Sequence, residues 1–173
     1  MVAGTARGRR LVAPVGTATR PTGDRVREAT FNALTSLGAV EGAEVLDLYA
    51  GSGAMGIEAL SRGAAAATFV DADARALAAI RANVAAAGFD RQAQVVRGDV
   101  RRFLDERVHP ADLAILDPPY ALPDEAWHDL LEALDVAVAV LESDREVAVT
   151  DRWEILRVRR YGTTVVSVAA RRS

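Results

Sequence analysis

The chain has 173 residues, half of them hydrophobic, and a net charge of −3. That length suits one domain with a substantial core, and the lack of cysteine excludes a disulfide framework or cysteine-ligated zinc. The two histidines, His109 and His128, are not at metal-ligand spacing, no leader-like segment opens the chain, and no apolar run approaches a membrane span, so a metal-free cytoplasmic protein is expected.

Charge is unevenly spread. Residues 1–27 hold Arg7, Arg9, Arg10, Arg20, Arg25 and Arg27 against one acid, Asp24, a net of +5 that leaves −8 for the rest. A basic arm over residues 1–23, before a body over residues 24–173, suits an anionic partner; a solubilising tail has the same composition. The arm is rich in Gly, Arg, Pro and Thr, and its short apolar patch at Leu11–Val12 suggests a small hairpin.

A helical pattern runs from Asp24 to Leu37, with Val26, Ala29, Ala33, Leu34 and Leu37 facing a core, Thr22 or Asp24 as its cap and Gly38 as its stop. Short apolar runs then alternate with helical ones. Strands are expected at Val45–Tyr49, Ala67–Val70, Gln94–Arg97 and Leu113–Leu116. Helices are expected at Ala54–Arg62, Ala74–Ala87, Val100–Glu106 and Asp124–Leu134, the second of them capped by Asp73 and closed by Gly88. This alternation implies βαβ units and a parallel sheet covered on both faces. Val136–Leu141 reads equally as helix or strand. Glu146–Thr150, Glu154–Arg160 and Thr163–Ala169 read as strands, the last two joined at Tyr161-Gly162 as a hairpin, so the sheet should finish with an antiparallel strand.

Four motifs fall at the ends of successive strands. The first, Asp47-Leu-Tyr49-Ala50-Gly51-Ser52-Gly53-Ala-Met-Gly56, fits the G-x-G-x-x-G fingerprint, and Asp71 follows Gly51 by 20 residues with Ala72 after it. Such an acid suits a ribose, which a nicotinamide dinucleotide and S-adenosylmethionine both carry. Asp47 separates the two. Its carboxylate would repel a pyrophosphate but favours an ammonium and a sulfonium. Gly98-Asp99-Val100 borders the expected adenine pocket, although an Asp there also caps a helix. In Asp117-Pro118-Pro119-Tyr120, two prolines remove backbone donors. The Asp117 carboxylate and Pro118 carbonyl are left as acceptors for the two N–H groups of an exocyclic amine. Tyr120 offers a face on which an extruded base can stack.

Together these residues resemble the class I methyltransferases, and the D-P-P-Y motif resembles the amino-methyltransferases of adenine N6, cytosine N4 or guanine N2. Arg7-Gly-Arg-Arg-Leu11, Arg20-Pro-Thr-Gly-Asp-Arg-Val-Arg-Glu28, Phe31-Asn32, the stretch Leu46–Gly63 ending E-A-L-S-R-G, and Arg160-Tyr-Gly are similar to the bacterial 16S ribosomal RNA guanine-N2 methyltransferase family. The chain departs from that pattern with Thr30 before Phe31 and with no glutamate closing Val147–Thr150.

The resemblance implies an α/β, Rossmann-like fold with a seven-stranded, mostly parallel sheet, an antiparallel C-terminal strand and a basic N-terminal extension. It implies methyl transfer from S-adenosylmethionine to the N2 amine of a guanine in small-subunit ribosomal RNA, free or in an assembling subunit. The catalytic candidates are Asp117, Pro118, Pro119 and Tyr120. The cofactor candidates are Asp47, Tyr49, Ala50, Gly51, Ser52, Gly53, Asp71, Ala72, Asp99, Val100 and Asp117. Arg7, Arg9, Arg10, Arg20, Arg25 and Arg27 are the RNA candidates, with Arg20 and Arg27 alternatively bracing the cofactor side. Rival readings are an adenine-N6 or cytosine-N4 enzyme, a nicotinamide oxidoreductase and a non-catalytic RNA-binding assembly factor.

Overall fold

The computed structural model describes residues 1–14, 23–106 and 111–172. Five helices and seven strands follow one another as α1 (Asp24–Ser36), β1 (Glu44–Leu48), α2 (Ala54–Ser61), β2 (Ala66–Asp71), α3 (Ala74–Ala87), β3 (Ala93–Arg97), α4 (Val100–Glu106), β4 (Leu113–Leu116), α5 (Asp124–Ala133), β5 (Val138–Ser143), β6 (Trp153–Tyr161) and β7 (Thr164–Arg171). They form one sheet in the order β3-β2-β1-β4-β5-β7-β6. The first five strands run parallel, and β7 lies antiparallel between β5 and β6.

The short apolar runs are explained by burial on both faces of the sheet. Along β4, Leu113 and Ile115 join a core with Phe31, Ile57, Phe69 and Ile80, beneath α1, α2 and α3. The alternating Ala114 and Leu116 join a second core with Trp127, Leu131 and Trp153, on the α5 side. A parallel strand covered twice needs apolar residues at both parities. Asp47 breaks this rule: it lies among the buried positions of β1 and is 2 % exposed.

Several local expectations are corrected. Gly23, with no side-chain bond, is the N-cap of α1, and Asp24 instead pairs with Arg27 at 2.5 Å; Thr22 lies outside the described residues. Helix α1 buries Phe31 and Leu34 but leaves Leu37 48 % exposed, because Leu37 is already the C-cap residue, with Gly38 beyond it in the left-handed region. Of Val136–Leu141, the residues from Val138 onward are strand, within β5 (Val138–Ser143). Glu146–Thr150 makes no strand. β5 already has β4 and β7 on its two edges, and Val147 and Val149 pack on the α5-side core without a ladder. The hairpin turn is Gly162-Thr163.

Residues 1–14 form turns rather than a hairpin, and they are docked on the domain. The amides of Val2 and Ala3 donate to the two carboxylate oxygens of Glu58, each at 3.0 Å. Thr5 donates to the Ser61 carbonyl, Ala6 donates to Ser61 Oγ, and that hydroxyl donates to the Ala3 carbonyl. A Cβ on Gly4 would lie 1.7 Å from the Ser61 carbonyl oxygen, and its φ is +75°, so only glycine fits there. Farther along, Asn83 of α3 exchanges hydrogen bonds with both main-chain groups of Val12. Thr30, a departure from the family pattern, satisfies its hydroxyl on the Val26 carbonyl one turn back, which lets it be buried.

Glu58 is 0 % exposed and is also paired with Arg62 at 2.8 Å and Arg27 at 3.7 Å. Removing one member of a buried ion cluster strands the others, at about 3–5 kcal/mol. Glu58→Ala should therefore lower the unfolding free energy in urea by about that amount. It should also expose residues 1–14 to limited proteolysis. An unchanged urea midpoint would show that the cluster is dispensable.

Candidate active site

Four carboxylates converge on one edge of the sheet. Asp47 and Asp71 sit at the C-terminal ends of β1 and β2, and Asp99 and Asp117 lie just after β3 and β4. The chain proceeds from β1 outward through β2 to β3 and then returns to the other side of β1 for β4, so a topological switch point lies between β1 and β4. In doubly wound sheets such a crevice is the ligand site.

The glycine loop is shaped by backbone constraints. Tyr49 is the only non-glycine residue with positive φ among the described residues, at 61°, which for a bulky side chain stores about 1–3 kcal/mol of strain. Gly51 and Gly53 follow in the same region, and the Gly53 N–H donates to the Ala50 carbonyl. Gly56 is required for another reason. A Cβ there would lie 2.4 Å from the Phe69 ring and 3.0 Å from Asp47 Oδ2. That close approach lets the Gly56 N–H donate to Asp47 Oδ2 at 2.8 Å.

Asp71 pins the loop from the next strand. Its Oδ2 accepts the Gly51 N–H and its Oδ1 accepts the Asp73 N–H, each at 2.9 Å. Ala72 is exposed between the two acids, and Ala50, Gly51 and Ser52 are half-buried. Asn83 donates to the Ser52 carbonyl at 2.9 Å with the same amide that holds Val12. Asp99 is exposed, and its Oδ1 caps α4 on the Arg102 N–H at 3.0 Å. Burial, and then the Asp99 charge, push the half-buried Tyr49 phenol above its ordinary pKa. The Val100 side chain is in the core, so any ligand contact it makes is through its main chain.

After β4 the Asp117 N–H donates to the Leu48 carbonyl, tying this loop to the end of β1. Pro118 is buried and Pro119 exposed. The Leu122 N–H closes a turn on the Pro119 carbonyl, which presents Tyr120 at 38 % exposure. The Tyr120 hydroxyl lies 2.7 Å from Thr164 Oγ1, at the start of β7.

Of the candidate RNA arginines, Arg7, Arg9, Arg10 and Arg25 are exposed, with Arg9 reaching the Ala86 carbonyl. Arg20 lies outside the described residues. Arg27 is withdrawn as a phosphate ligand: it is 5 % exposed, and Asp24 and Glu58 hold it inside the fold. Glu58, Ser61, Asn83 and Thr164 were given no role by the sequence reading, although Glu58 and Ser61 lie inside the E-A-L-S-R-G stretch.

S-adenosylmethionine fits this edge. Asp47 is buried, accepts one neutral N–H, and has no arginine paired with it among the described residues. Burial and, secondarily, the Asp71 charge raise its carboxyl from 3.8 to about 7 against the pull of the Gly56 N–H. A ligand ammonium supplies the missing counter-charge, whereas a pyrophosphate would worsen the deficit.

If Asp47 meets the cofactor's ammonium, binding is expected to depend on pH. An acid whose native pKa exceeds its unfolded one stabilises the fold while protonated. In the cofactor-free protein this contribution is complete below its unfolded value of 3.8 and lost as pH rises through about 7. A bound ammonium favours the ionised form, so cofactor affinity should climb as pH rises towards 7 and level off above it. Calorimetric titrations across that window should show the rise for the wild type and a flat, weaker profile for Asp47→Asn. A flat wild-type profile would remove Asp47 from this role.

The family model described as Conserved hypothetical protein 95 matches residues 1–170. YlbH of Bacillus subtilis (strain 168), provisionally named an rRNA methyltransferase, is 37 % identical over 99 % of this chain and 98 % of its own length. Ribosomal RNA small subunit methyltransferase D of Escherichia coli (strain K12) is 36 % identical over 84 % of this chain and 75 % of its own. A solved Escherichia coli structure provisionally named as the methyltransferase yhhF superposes with a TM-score of 0.85 at 34 % identity, covering 99 % of this chain and 96 % of that one. Fold, strand-end acids and relatives agree, and the chain belongs to the Conserved hypothetical protein 95 family as an S-adenosylmethionine-dependent methyltransferase.

Proposed function

We propose that this protein methylates the exocyclic N2 amine of a guanine in small-subunit ribosomal RNA, free or in an assembling subunit, in the cytoplasm. The observation that carries the reading is the Asp117-Pro-Pro-Tyr120 loop, hydrogen-bonded to the end of the strand that carries Asp47. The names of the curated relatives support the ribosomal RNA part.

When bound, S-adenosylmethionine supplies an electrophilic methyl group on a sulfonium. The chain's own residues position the acceptor. The Asp117 carboxylate and the Pro118 carbonyl accept the two N–H groups of the amine and aim its lone pair into the crevice. The Pro119 carbonyl is already engaged by Leu122, which leaves Pro118 as the main-chain acceptor. Tyr120 stacks on a guanine turned out of its helix. No strong base is needed at the outset, because the amine becomes acidic as it is alkylated; Asp117 then takes the departing proton and passes it to solvent. Catalysis is chiefly positioning. Residues 1–23 act as a basic arm to which Arg7, Arg9 and Arg10 bring exposed charge, and Arg25 adds its own from the first turn of α1.

The test is transfer of labelled methyl to small-subunit particles and to naked ribosomal RNA, followed by nucleoside mass spectrometry. Label is expected in N2-methylguanosine, and the two substrates together show whether free RNA or the particle is the acceptor. Label in N6-methyladenosine or N4-methylcytidine would overturn the substrate. Asp117→Ala should bind cofactor yet turn over about 100-fold more slowly, the scale of a misplaced acceptor. Tyr120→Ala should cost about 1–3 kcal/mol in kcat/KM through the absence of stacking. Tyr120→Phe keeps the ring and gives up only the bond to Thr164, about 1 kcal/mol or less.

A further inference from the structure

The edge strand β6 carries three exposed arginines within four residues, Arg157, Arg159 and Arg160. Arg75, Arg101, Arg102, Arg145, Arg152 and Arg171 each have an acidic partner. Arg157, Arg159 and Arg160 are exposed, and among the described residues none of them has one. Arg25 on α1, Arg81 on α3 and Arg97 on β3 are exposed one at a time; among the described helices and strands, β6 is where three such arginines stand together.

The placement is ordered. After a register irregularity between Ile155 and Arg157, Arg157 pairs with Val168, Arg159 with Val166 and Tyr161 with Thr164. These three β6 residues therefore share one face, about 6.8 Å apart along the strand. They line a groove whose other wall is Ala29, Thr30 and Ala33 of α1. Arg25, one turn before Ala29, is exposed on the same helix row. β6 is parallel in sense to β4, so its C-terminal end, Tyr161, lies at the same sheet edge as Asp117. Across the hairpin from Tyr161, Thr164 Oγ1 is 2.7 Å from the Tyr120 hydroxyl.

We propose that the groove between α1 and β6 is an RNA-strand track: Arg157, Arg159 and Arg160 hold backbone phosphates of the single-stranded segment beside the target nucleotide, Tyr161 stacks on a base, and the hairpin delivers that strand to Tyr120. Arg157 and Arg159 act from within the groove, and Arg160 acts from the outer edge of the same strand. A basic groove with a small-residue wall and an aromatic at its end is how single strands are held without sequence readout. The inference rests on the reading of RNA as substrate. Arginines on an edge strand also deter edge-to-edge pairing, and that role makes a different prediction.

The experiment measures binding of wild type and R157Q/R159Q/R160Q to a small-subunit ribosomal RNA fragment over a salt series. Calorimetric cofactor binding serves as the check on folding. The log–log salt slope should flatten by about 0.7 for each phosphate no longer held, with KM for RNA raised more than kcat is lowered. R157K/R159K/R160K should restore the slope, because it keeps the charges. Should the triple glutamine protein fail to bind cofactor, the single variants R157Q and R159Q give the same reading at about 0.7 each. An unchanged slope overturns the track. An unchanged slope with new self-association assigns the arginines to edge protection and overturns it equally. Wild-type protein that methylates RNA while the variants keep its slope defeats the track alone; wild-type protein with no affinity for RNA defeats the track and the substrate reading together.

Discussion

The buried carboxylate of Asp47 is the constraint around which the rest of the site is built. Taking a charge out of water costs several kcal/mol unless it is paired. Here one N–H, from Gly56, is what the fold returns. That bond fixes how close α2 comes to β1. The closeness in turn dictates glycine at position 56, with the Phe69 ring 2.4 Å from where a Cβ would stand. The strained φ of Tyr49 and the left-handed Gly51 and Gly53 follow from turning the chain sharply enough to bring α2 back over Asp47. A fold that leaves an acid at about 7 holds it ready for a ligand cation. The same carboxylate would serve poorly beside a pyrophosphate, and this makes a nicotinamide-binding variant of the loop a bad match for the residues present.

The N-terminal segment is coupled to this loop through side chains rather than through a shared strand. Asn83 holds Val12 and Ser52 at once, so the first residues and the glycine loop report to one amide on α3. Glu58 and Ser61, both on α2, hold residues 2–6. The helix whose first turns approach Asp47 is therefore the helix that anchors the N-terminus. An arm that is to carry phosphate contacts needs such an anchor, because a free tail would forfeit in conformational entropy much of what each phosphate interaction contributes.

Most of the architecture was legible because its signals are local. Runs such as Leu113–Leu116 and the 3.6-residue pattern of Ala74–Ala87 need no knowledge of the rest of the chain, and Asp73 and Gly88 mark the ends of α3 as capping chemistry requires. The acids of the site were legible for the same reason, each lying at a strand end. What was not legible depends on long-range partners. Glu146–Thr150 alternates like a strand, but no sheet edge is free beside it. Arg27 looks like its exposed neighbours until Glu58, 31 residues away, is seen to bury it. Asn83 and Thr164 carry no local mark at all, since an amide in a helix and a hydroxyl in a hairpin are ordinary residues until their partners are known.

The insertion of β7 between β5 and β6 brings the start of β7 against the Asp117-Pro-Pro-Tyr120 loop. With β7 inserted, the strand that follows the hairpin turn, and not β6, is the one paired with β5. Because β7 runs antiparallel, the Gly162-Thr163 turn reaches the same sheet edge as the ends of β1 and β4, and Thr164 meets Tyr120. The hydroxyl contact restrains a partly exposed aromatic. A tyrosine ring so restrained gives up less freedom when a base stacks on it, which is the same economy that the rigid prolines provide for Asp117. The antiparallel end of the sheet thus does for the proposed acceptor site what Gly56 and Asp71 do for the candidate cofactor loop: it fixes the loop's geometry through bonds within the fold.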